Sequence, residues 1–525
     1  MAGDIRQVGY AEVRAALLAR REIALLDVRE EDPHAQSHPL FAANFPRGRI
    51  ELNAYANLPR RDVPIVTLDD GEGDAELAAQ KLTELGYTDV AVFEGGVNGW
   101  AAAGGELFRD VNVPSKAFGE LVEATRHTPS LSAEEVKALI ESDQDVVVVD
   151  VRRFDEYRTM NIPSSTSVPG AELVLRVPTL APNPQTQVIV NCAGRTRSII
   201  GTQSLVNAGL PNPVAALRNG TIGWTLAGQT LEHGQNRRFP AVDRERAQKS
   251  ALAARQVADR ASVKRACWRD VENWMVQHGR TTYFFDVRDP AEYEVGHLPG
   301  FRSLAGGQLV QETEMVAPVR GARIVLVDDD GVRANMSASW LAQMNWEVFV
   351  LDAPPAFSET GAWQPPFPTT PTVPLISIAE LATLPPDEVA VLDVTQHVNY
   401  LRGHIPGAWF VLRSQFRQAL AALPPVKHYV LTCASSRLAL YAQPELQALV
   451  EAPVRVLDGG NEAWKRAGLP IETGATRLAS PPIDRYRRPY EGTNNAKEAM
   501  QAYLEWEFGL VEQLGRDGTH GFQVI

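Results

Sequence analysis

The sequence predicts an α/β protein of four tandem modules, each a parallel β-sheet flanked by helices, followed by a helical C-terminal tail. Three observations lead to this prediction. The chain has 525 residues, which is about three to four times the ~150 residues of a typical domain. A helical pattern followed by a short apolar run that ends in Asp-Val occurs four times. Within each repeat, short β-branched runs alternate with helical patterns, as in βαβ units whose sheets are buried on both faces.

The repeats share a fixed order of features. The first apolar run of each copy ends at an aspartate: Asp27, Asp150, Asp286 or Asp393. A second apolar run ends 42, 42, 42 and 40 residues later, at Asp69, Cys192, Asp328 and Cys433. In three copies a third apolar run leads into a turn that contains glycine and tryptophan. Such regular spacing indicates four copies of one structural unit.

The repeat sets the module boundaries. We assign module 1 to residues 1–112, module 2 to 126–236, module 3 to 260–360, module 4 to 374–478 and a docking tail to 479–525. The alanine-rich linker 237–265 is predicted to be helical, and the proline-rich linker 353–374 to be an extended spacer. Because the longest linker separates modules 2 and 3, we expect module 1 to pair with module 2 and module 3 with module 4. The tail should dock, since its large apolar side chains from Tyr503 to Phe508 would otherwise be exposed.

Composition excludes several classes of protein. Hydrophobic residues make up 44% of the chain and charged residues 22%, which is typical of globular proteins rather than disordered ones. The net charge of −13 argues against a nucleic-acid partner, because phosphate contacts need clustered cations. No apolar run reaches the ~18 residues of a membrane span, so we expect no membrane partner. Three cysteines cannot form a disulfide framework, which favours a cytoplasmic location.

Cys192 is the strongest candidate for chemistry. It ends an apolar run and is followed by a short basic loop and a helical pattern, and ligands in parallel α/β sheets bind beyond the carboxyl ends of the strands. Loop amides and the helix dipole are expected to lower the pKa of the thiol and so to make it nucleophilic at neutral pH. Arg195 and Arg197 would add positive charge for an anionic substrate. The alternative is that Cys192 is a small hydrophobic residue of the core.

The order of these motifs resembles the rhodanese sulfurtransferases: Asp-Val-Arg, a Glu-Tyr pair, Gly-His-x-Pro-Gly, a strand ending in cysteine, and a Gly-Gly…Trp turn. The resemblance covers nearly the whole chain as four rhodanese modules and extends to bacterial four-module thiosulfate sulfurtransferases. It implies that Cys192 takes a sulfane sulfur from a small anionic donor such as thiosulfate, forms a persulfide, and passes the sulfur to cyanide or a thiol. No cofactor is implied. The substrate-binding residues that it implies are Ala193, Gly194, Arg195, Thr196, Arg197, Ser198 and Arg437.

Cys433 is the second candidate, and two readings of it stay open. Its loop carries Arg437 four positions on, whereas Thr395 replaces the arginine of Asp-Val-Arg and Asn399 replaces the glutamate of Glu-Tyr. Cys433 is therefore either a second, differently tuned sulfur carrier or a relic retained for packing. Phosphatase activity is disfavoured for module 2, because Arg197 gives a Cys-x4-Arg loop and the related phosphatases need the longer Cys-x5-Arg loop.

The aspartates at the two remaining positions predict silent modules. Asp69 and Asp328 stand where the reactive cysteine belongs, and a carboxylate cannot form a persulfide. We expect modules 1 and 3 to complete interfaces and shield the active pockets, and we expect no metal, because no His or Cys ligand accompanies the acids. An alternative function is a persulfide relay or scaffold in which these modules dock a protein that accepts the sulfur. Cys267 is predicted to pack in the core.

Overall fold

The computed structural model describes residues 5–525, which form 21 strands and 24 α-helices within that range. The strands of module 1 are β1 (Arg6–Val8), β2 (Ile23–Asp27), β3 (Ala43–Asn44), β4 (Ile65–Leu68) and β5 (Val90–Phe93). Its helices are α1 (Tyr10–Leu18), α2 (Glu31–Gln36), α3 (Ile50–Asn57), α4 (Asp74–Glu84) and α5 (Gly96–Ala102), and α6 (Val113–Arg126) connects it to module 2. Module 2 has the strands β6 (Ser130–Leu131), β7 (Val146–Asp150), β8 (Thr166–Ser167), β9 (Gln187–Asn191) and β10 (Val214–Leu217). Its helices are α7 (Ala133–Ile140), α8 (Phe154–Thr159), α9 (Leu173–Leu180), α10 (Thr196–Asn207) and α11 (Gly220–Leu226).

The linker between modules 2 and 3 is the predicted helix, α12 (Arg244–Arg260). The strands of module 3 are β11 (Lys264–Ala266), β12 (Thr282–Asp286), β13 (Arg302–Ser303), β14 (Val319–Arg320), β15 (Arg323–Val327) and β16 (Glu347–Leu351). Its helices are α13 (Trp268–Met275), α14 (Pro290–Val295), α15 (Gly306–Gln311), α16 (Thr313–Val316) and α17 (Arg333–Gln343). Module 4 has β17 (Leu375–Ile376), β18 (Val389–Asp393), β19 (Trp409–Phe410), β20 (His428–Thr432) and β21 (Val454–Leu457). Its helices are α18 (Ile378–Leu381), α19 (His397–Arg402), α20 (Phe416–Ala422), α21 (Arg437–Gln447) and α22 (Gly460–Arg466), and the tail holds α23 (Lys497–Phe508) and α24 (Leu510–Asp517).

Each module contains one parallel sheet with the same strand order. In module 2 the order is β6-β10-β9-β7-β8, and the corresponding strands follow the same order in the other three. The central strands are apolar because helices cover both faces of the sheet; in β2 all five residues are buried. The predicted α/β class with four parallel sheets and a helical tail is confirmed. In every module the central strand of the sheet, which is β4, β9, β15 or β20, is followed directly by Asp69, Cys192, Asp328 or Cys433.

The modules pair differently from the expectation. A 3₁₀ turn at Arg47–Arg49 in module 1 meets the equivalent turn Arg413–Gln415 in module 4. There the buried Arg413 guanidinium donates two hydrogen bonds of 2.8 Å to Glu51. Module 2 meets module 3 in the same way, and Trp340 donates to Ser204 at 2.9 Å across that interface. The expected pairing of 1 with 2 and 3 with 4 is therefore wrong, because linker length does not determine which surfaces are complementary.

Two further contacts join the pairs into one assembly. Strand β14 of module 3 adds to the sheet of module 1, antiparallel to β2. Helix α6 packs against α10 of module 2, where Gly119 leaves space for Thr196, and α24 of the tail packs on α6. Across residues 5–525, none of the helices combines the length and apolar character that a membrane span needs.

Candidate active sites at two strand-end thiols

Cys192 lies directly after β9, in the loop that leads into α10. Its side chain is 2% exposed, and its Sγ atom donates to the Ser198 hydroxyl at 3.4 Å. The first turn of α11 is hydrogen-bonded to the loop, because the amide of Thr221 donates to the Cys192 carbonyl at 3.0 Å. Gly220 permits this approach: it has a φ of +54°, and a Cβ atom there would lie 2.3 Å from the same carbonyl oxygen. The repeated glycine turn thus fixes the loop that carries the thiol.

The expectation that the pKa of Cys192 is lowered is wrong. Burial raises the pKa of the thiol, and the nearby Arg197 charge and the hydrogen bonds with Ser198 offset this only in part. The buried Glu507 carboxyl of the tail acts in the same direction as burial, because a second negative charge disfavours a thiolate. The sequence indicates a helix dipole that would lower the pKa of the thiol, but it does not indicate that the thiol is buried.

The rate of alkylation of Cys192 should therefore climb steeply with pH from neutral into the alkaline range. Below its pKa a thiol gains about tenfold in thiolate, and hence in reactivity, for each pH unit. Iodoacetamide labelling followed by peptide mass spectrometry between pH 6.5 and pH 9.5 measures this, with the exposed Cys267 as the reference for reagent reactivity. A rate for Cys192 that is already constant at pH 7 would contradict the raised pKa.

The tail and α6 form a roof over Cys192. Ser115 and Lys116 of α6, Tyr490 and Tyr503 of the tail and Gln311 of module 3 enclose a cavity of about 20 Å³ at the thiol, which is on the order of the space one water occupies. Tyr503 lies so close to Gly194 that a Cβ atom there would be 3.2 Å from its ring. The Tyr503 hydroxyl donates to Glu507 at 2.8 Å. The tail docks as predicted, and it does so at the candidate site.

Tyr503→Ala should make Cys192 more accessible. Removing the ring takes away the roof contact over Gly194, and each 1.4 kcal/mol of lost docking free energy raises the population of an open site about tenfold. We expect iodoacetamide to label Cys192 about tenfold faster in this variant at a fixed pH. Gln501→Ala is the matched control, because Gln501 is exposed on the same helix and its side chain donates to Glu505 of that helix. Equal labelling rates in wild type and Tyr503→Ala would show that the tail does not limit access.

The two loop arginines face different surroundings. Arg195 donates to Glu120 of α6 at 2.7 Å and 2.9 Å and also forms an ion pair with Glu123. These two carboxylates neutralise the charge of Arg195 where the loop contacts α6. Arg197 forms a two-fold ion pair with Glu156 of α8, with both bonds at 2.9 Å. Arg197 lies near the thiol, and its positive charge partly offsets the rise that burial causes in the pKa of Cys192. The structure thus places Arg197, rather than Arg195, near the Cys192 thiol.

The remaining loop residues surround the thiol in other ways. The Ala193 carbonyl accepts from the Ile222 amide at 3.0 Å, and Gly194 lies beneath Tyr503. Thr196 packs on Gly119, and its buried hydroxyl has no hydrogen-bond partner among residues 5–525. Ser198 accepts from Cys192 and donates to the Arg195 carbonyl at 2.8 Å. Their role in substrate binding stays a prediction.

Cys433 lies after β20 in a more open setting. The thiol is 5% exposed and borders a cavity of about 390 Å³. Burial raises the pKa of Cys433, while the backbone amides of Leu438 and Ala439 lower it. Arg437 lies over the ring of Phe367 at 4.0 Å, so the linker that the sequence predicts to be a mere spacer forms part of this wall.

In modules 1 and 3 an aspartate side chain occupies the position that cysteine holds in modules 2 and 4. The Asp69 carboxylate accepts from the amides of Gly71, Gly73 and Ala75 at 2.8 Å, 3.0 Å and 3.0 Å. Asp328 accepts in the same way from Gly331 at 3.0 Å and from Ala334 at 2.8 Å. In modules 1 and 3 the loop amides thus donate to a carboxyl group of the loop itself. Within residues 5–525, no group of three or more His, Cys, Asp or Glu side chains could hold a metal ion.

Cys267 differs from its prediction as a core residue. It is exposed and lies at the N-cap of α13, where its amide donates to Asp270 at 2.8 Å. The preceding Ala266 ends β11 and is buried. Counting back from the aspartates Asp27 and Asp286 matches Cys267 with Val8, the last residue of β1, but β11 already ends at Ala266.

Comparison with known proteins adds independent findings. The model of the Rhodanese-like domain family matches residues 11–103, 132–227, 269–353 and 377–467, which is more than half of the chain. The crystal structure of a thiosulfate sulfurtransferase from Pseudomonas aeruginosa is 65% identical, with a TM-score of 0.98, and the match covers 99% of this chain and 100% of that one.

Two curated relatives match over one module only. The HTH-type transcriptional regulator Rv0324 of Mycobacterium tuberculosis is 33% identical over 90 residues, which is 17% of this chain and 39% of the regulator. The uncharacterized protein YibN of Escherichia coli K12 is 27% identical over 94 residues, 18% of this chain and 66% of YibN. The chain therefore spans less than two thirds of the length of either relative.

Proposed function

The chain belongs to the rhodanese family, and we propose that it is a thiosulfate sulfurtransferase in which Cys192 carries the sulfur as a persulfide. One observation carries the assignment to Cys192. A buried thiol stands at the strand end of module 2, with Arg197 beside it and with Ser198 at 3.4 Å, whereas Asp69 and Asp328 hold the same position in modules 1 and 3. The full-length likeness to the Pseudomonas aeruginosa thiosulfate sulfurtransferase supports thiosulfate as the donor.

The reaction consists of two sulfur transfers. The Cys192 thiolate attacks the outer sulfur of thiosulfate, the S–S bond of the donor breaks with its electron pair on sulfite, and sulfite leaves. Cys192 then carries a persulfide. Cyanide or a thiol attacks the terminal sulfur of that persulfide and regenerates the thiolate. Because the chain alternates between two covalent states, ping-pong kinetics are expected.

A chamber rich in arginine lies next to Arg197 and supports an anionic donor. This cavity of about 590 Å³ is lined by six arginines and four carboxylates, and two further carboxylates, Asp150 and Glu31, pair with Arg152 and Arg488 from outside the lining. Arg485 and Arg488 of the tail belong to it, together with Tyr490, which also forms the roof over Cys192. Guanidinium groups donate strong hydrogen bonds to the oxygen atoms of anions. We place the protein in the cytoplasm, where reducing conditions keep such thiols free.

Persulfide detection tests the proposal directly. Wild type, Cys192→Ser and Cys433→Ser are incubated with thiosulfate, and peptide mass spectrometry locates the added sulfur atom. We expect the sulfur on the peptide that contains Cys192 in wild type and in Cys433→Ser, and we expect cyanide to remove it as thiocyanate. Wild type without added sulfur on any cysteine would refute the assignment.

A further inference from the structure

The tail contributes a buried carboxyl group to the surroundings of Cys192. Glu507, near the C-terminal end of α23, is 0% exposed. Its Oε1 atom accepts a hydrogen bond of 2.8 Å from the Tyr503 hydroxyl. Its Oε2 atom faces Gly194, two residues after Cys192, and would lie 3.6 Å from a Cβ atom placed there. Glu507 is thus packed against the loop that carries the thiol, although it belongs to the tail and not to module 2.

The Oε2 atom of Glu507 has no hydrogen-bond partner among residues 5–525. An ionised carboxylate is costly in such a position, because its charge has left water without gaining hydrogen bonds in return. A protonated carboxyl group is neutral and therefore tolerates the same burial far better. The burial and the unpartnered oxygen thus indicate that Glu507 carries a proton at neutral pH.

The cations near Glu507 are already paired with other acids. The Lys116 ammonium group of α6 lies 2.6 Å from Asp110, and Arg195 lies 2.7 Å from Glu120. Within residues 5–525, Glu507 itself forms no ion pair, since no cationic nitrogen lies within 4 Å of its carboxyl oxygens. An ionised Glu507 would therefore be an excess negative charge in this region.

The groups that face Glu507 act on its ionisation in the same sense. Burial, together with the charge of Glu120, raises the pKa of Glu507 to about 8. Lys116, Arg195 and the hydrogen bond from Tyr503 lower this pKa, but they offset the effect of burial only in part. Tyr503 stays neutral in this range, because burial raises its own pKa well above the usual value. Glu507 is therefore neutral at pH 7 and ionises only in the alkaline range.

Sulfur loading adds negative charge to the same enclosed region. Cys192 must become a thiolate before it attacks, and the donor thiosulfate is itself an anion. The charge of an ionised Glu507 raises the pKa of Cys192 and so opposes the thiolate. Arg197, the cation near the thiol, already has Glu156 as its partner. Because two interacting acids in one site do not both ionise readily, the region holds one negative charge much more easily than two.

We propose that Cys192 is loaded with sulfur only while Glu507 is protonated, so that a carboxyl group of the tail sets the alkaline limit of the reaction. The inference rests on the persulfide chemistry proposed above and adds a positioning residue to it. The thiol proton of Cys192 passes to the solvent, the thiolate attacks the outer sulfur of thiosulfate, and sulfite leaves with the electron pair of the broken S–S bond. Glu507 keeps its proton throughout, and its neutral form leaves the negative charge of the site to the sulfur.

The pH profile of kcat/KM for thiosulfate, with cyanide as the acceptor, tests this inference in the Cys433→Ser chain. Up to about pH 8, kcat/KM should rise with pH as the thiolate fraction of Cys192 grows, and above that pH it should level off as Glu507 ionises. Glu507→Gln keeps the size and the neutral charge of the protonated carboxyl group, so its kcat/KM should continue to rise. The ratio of Glu507→Gln to the parent chain should therefore increase about tenfold between pH 7 and pH 9.

Two further variants complete the test. Glu505→Gln is the matched control, because Glu505 is an exposed glutamate of the same helix, and its ratio to the parent chain should stay constant across the pH range. Tyr503→Phe removes the hydrogen bond that favours the ionised form of Glu507. The pH at which kcat/KM levels off should therefore move upward in Tyr503→Phe.

The outcomes separate this inference from the proposed function. Profiles of the same shape for Glu507→Gln and the parent chain would overturn the role of Glu507 and leave the proposed function intact. If the melting temperature shows that Glu507→Gln does not fold, Tyr503→Phe decides, and an unchanged levelling-off pH there would overturn the inference as well. If the parent chain transfers no sulfur from thiosulfate at any pH, the proposed function itself fails.

Discussion

Cys192→Ser is expected to lower kcat/KM for sulfur transfer from thiosulfate to cyanide by about 10³-fold or more in a chain that already carries Cys433→Ser. A serine hydroxyl cannot form the persulfide intermediate, and removal of a covalent nucleophile leaves only the contribution of binding. The Cys433→Ser background matters because the second thiol would otherwise supply residual turnover. Thiocyanate formation under steady-state conditions measures the effect.

The control for this experiment is the third cysteine. Cys267→Ser should keep the wild-type rate, because Cys267 is exposed at the start of α13 and far in sequence from both candidate loops. The melting temperature of each variant shows whether the fold is preserved. If Cys192→Ser does not lower the activity of the Cys433→Ser chain, Cys192 takes no part in the mechanism.

Arg152→Thr is expected to destabilise module 2 by about 3–5 kcal/mol, the usual cost of leaving a buried charge without its partner. Asp150 is fully buried at the end of β7, and Arg152 donates to its two carboxylate oxygens at 2.9 Å and 2.7 Å. Asn191, the residue before Cys192, donates to the same carboxylate at 3.1 Å. The ion pair therefore supports the strand that presents the thiol.

Hydrogen exchange of the β7 and β9 amides measures this loss within module 2, because a chain of several modules need not unfold in one transition. The second change Asp150→Asn should recover much of the stability, since it removes the unpaired charge. Module 4 carries the natural counterpart: Thr395 stands in place of the arginine, and burial raises the pKa of Asp393. Wild-type exchange in Arg152→Thr would show that the ion pair contributes little.

The repeat determined the fold from the sequence alone. The constant spacing between the Asp-Val dipeptides and the next strand end corresponds in the structure to the parallel pairing of β7 with β9 and of β18 with β20. Alternating apolar runs and helical patterns are enough to specify such a buried parallel sheet. The same spacing identified the two positions that hold cysteine and the two that hold aspartate. A shift of one residue was enough to misplace Cys267, since strand ends are where the repeat is least regular.

Side-chain environment was less predictable. Arg195 and Arg197 are two residues apart in one basic loop, yet the first pairs with α6 and only the second lies at the thiol. The lowered pKa expected for Cys192 follows from the loop and helix alone, whereas the raised pKa follows from burial beneath α6, the tail and module 3. Tyr490 and Tyr503, which are far from Cys192 in the sequence, thus form part of the environment of the thiol. No local sequence pattern indicates such contacts.

The four modules and the strand-end positions of Cys192 and Cys433, with Asp69 and Asp328 at the matching positions of modules 1 and 3, follow from the amino-acid sequence alone. Those properties depend on periodicity and on the chemistry of single residues. Only the tertiary structure decided that module 1 packs on module 4, that Glu507 lies against the loop of Cys192, and that Tyr503 closes the cavity at Cys192. Each of these depends on complementary surfaces brought together across long stretches of chain, which is information that a repeat, being the same in every copy, does not carry.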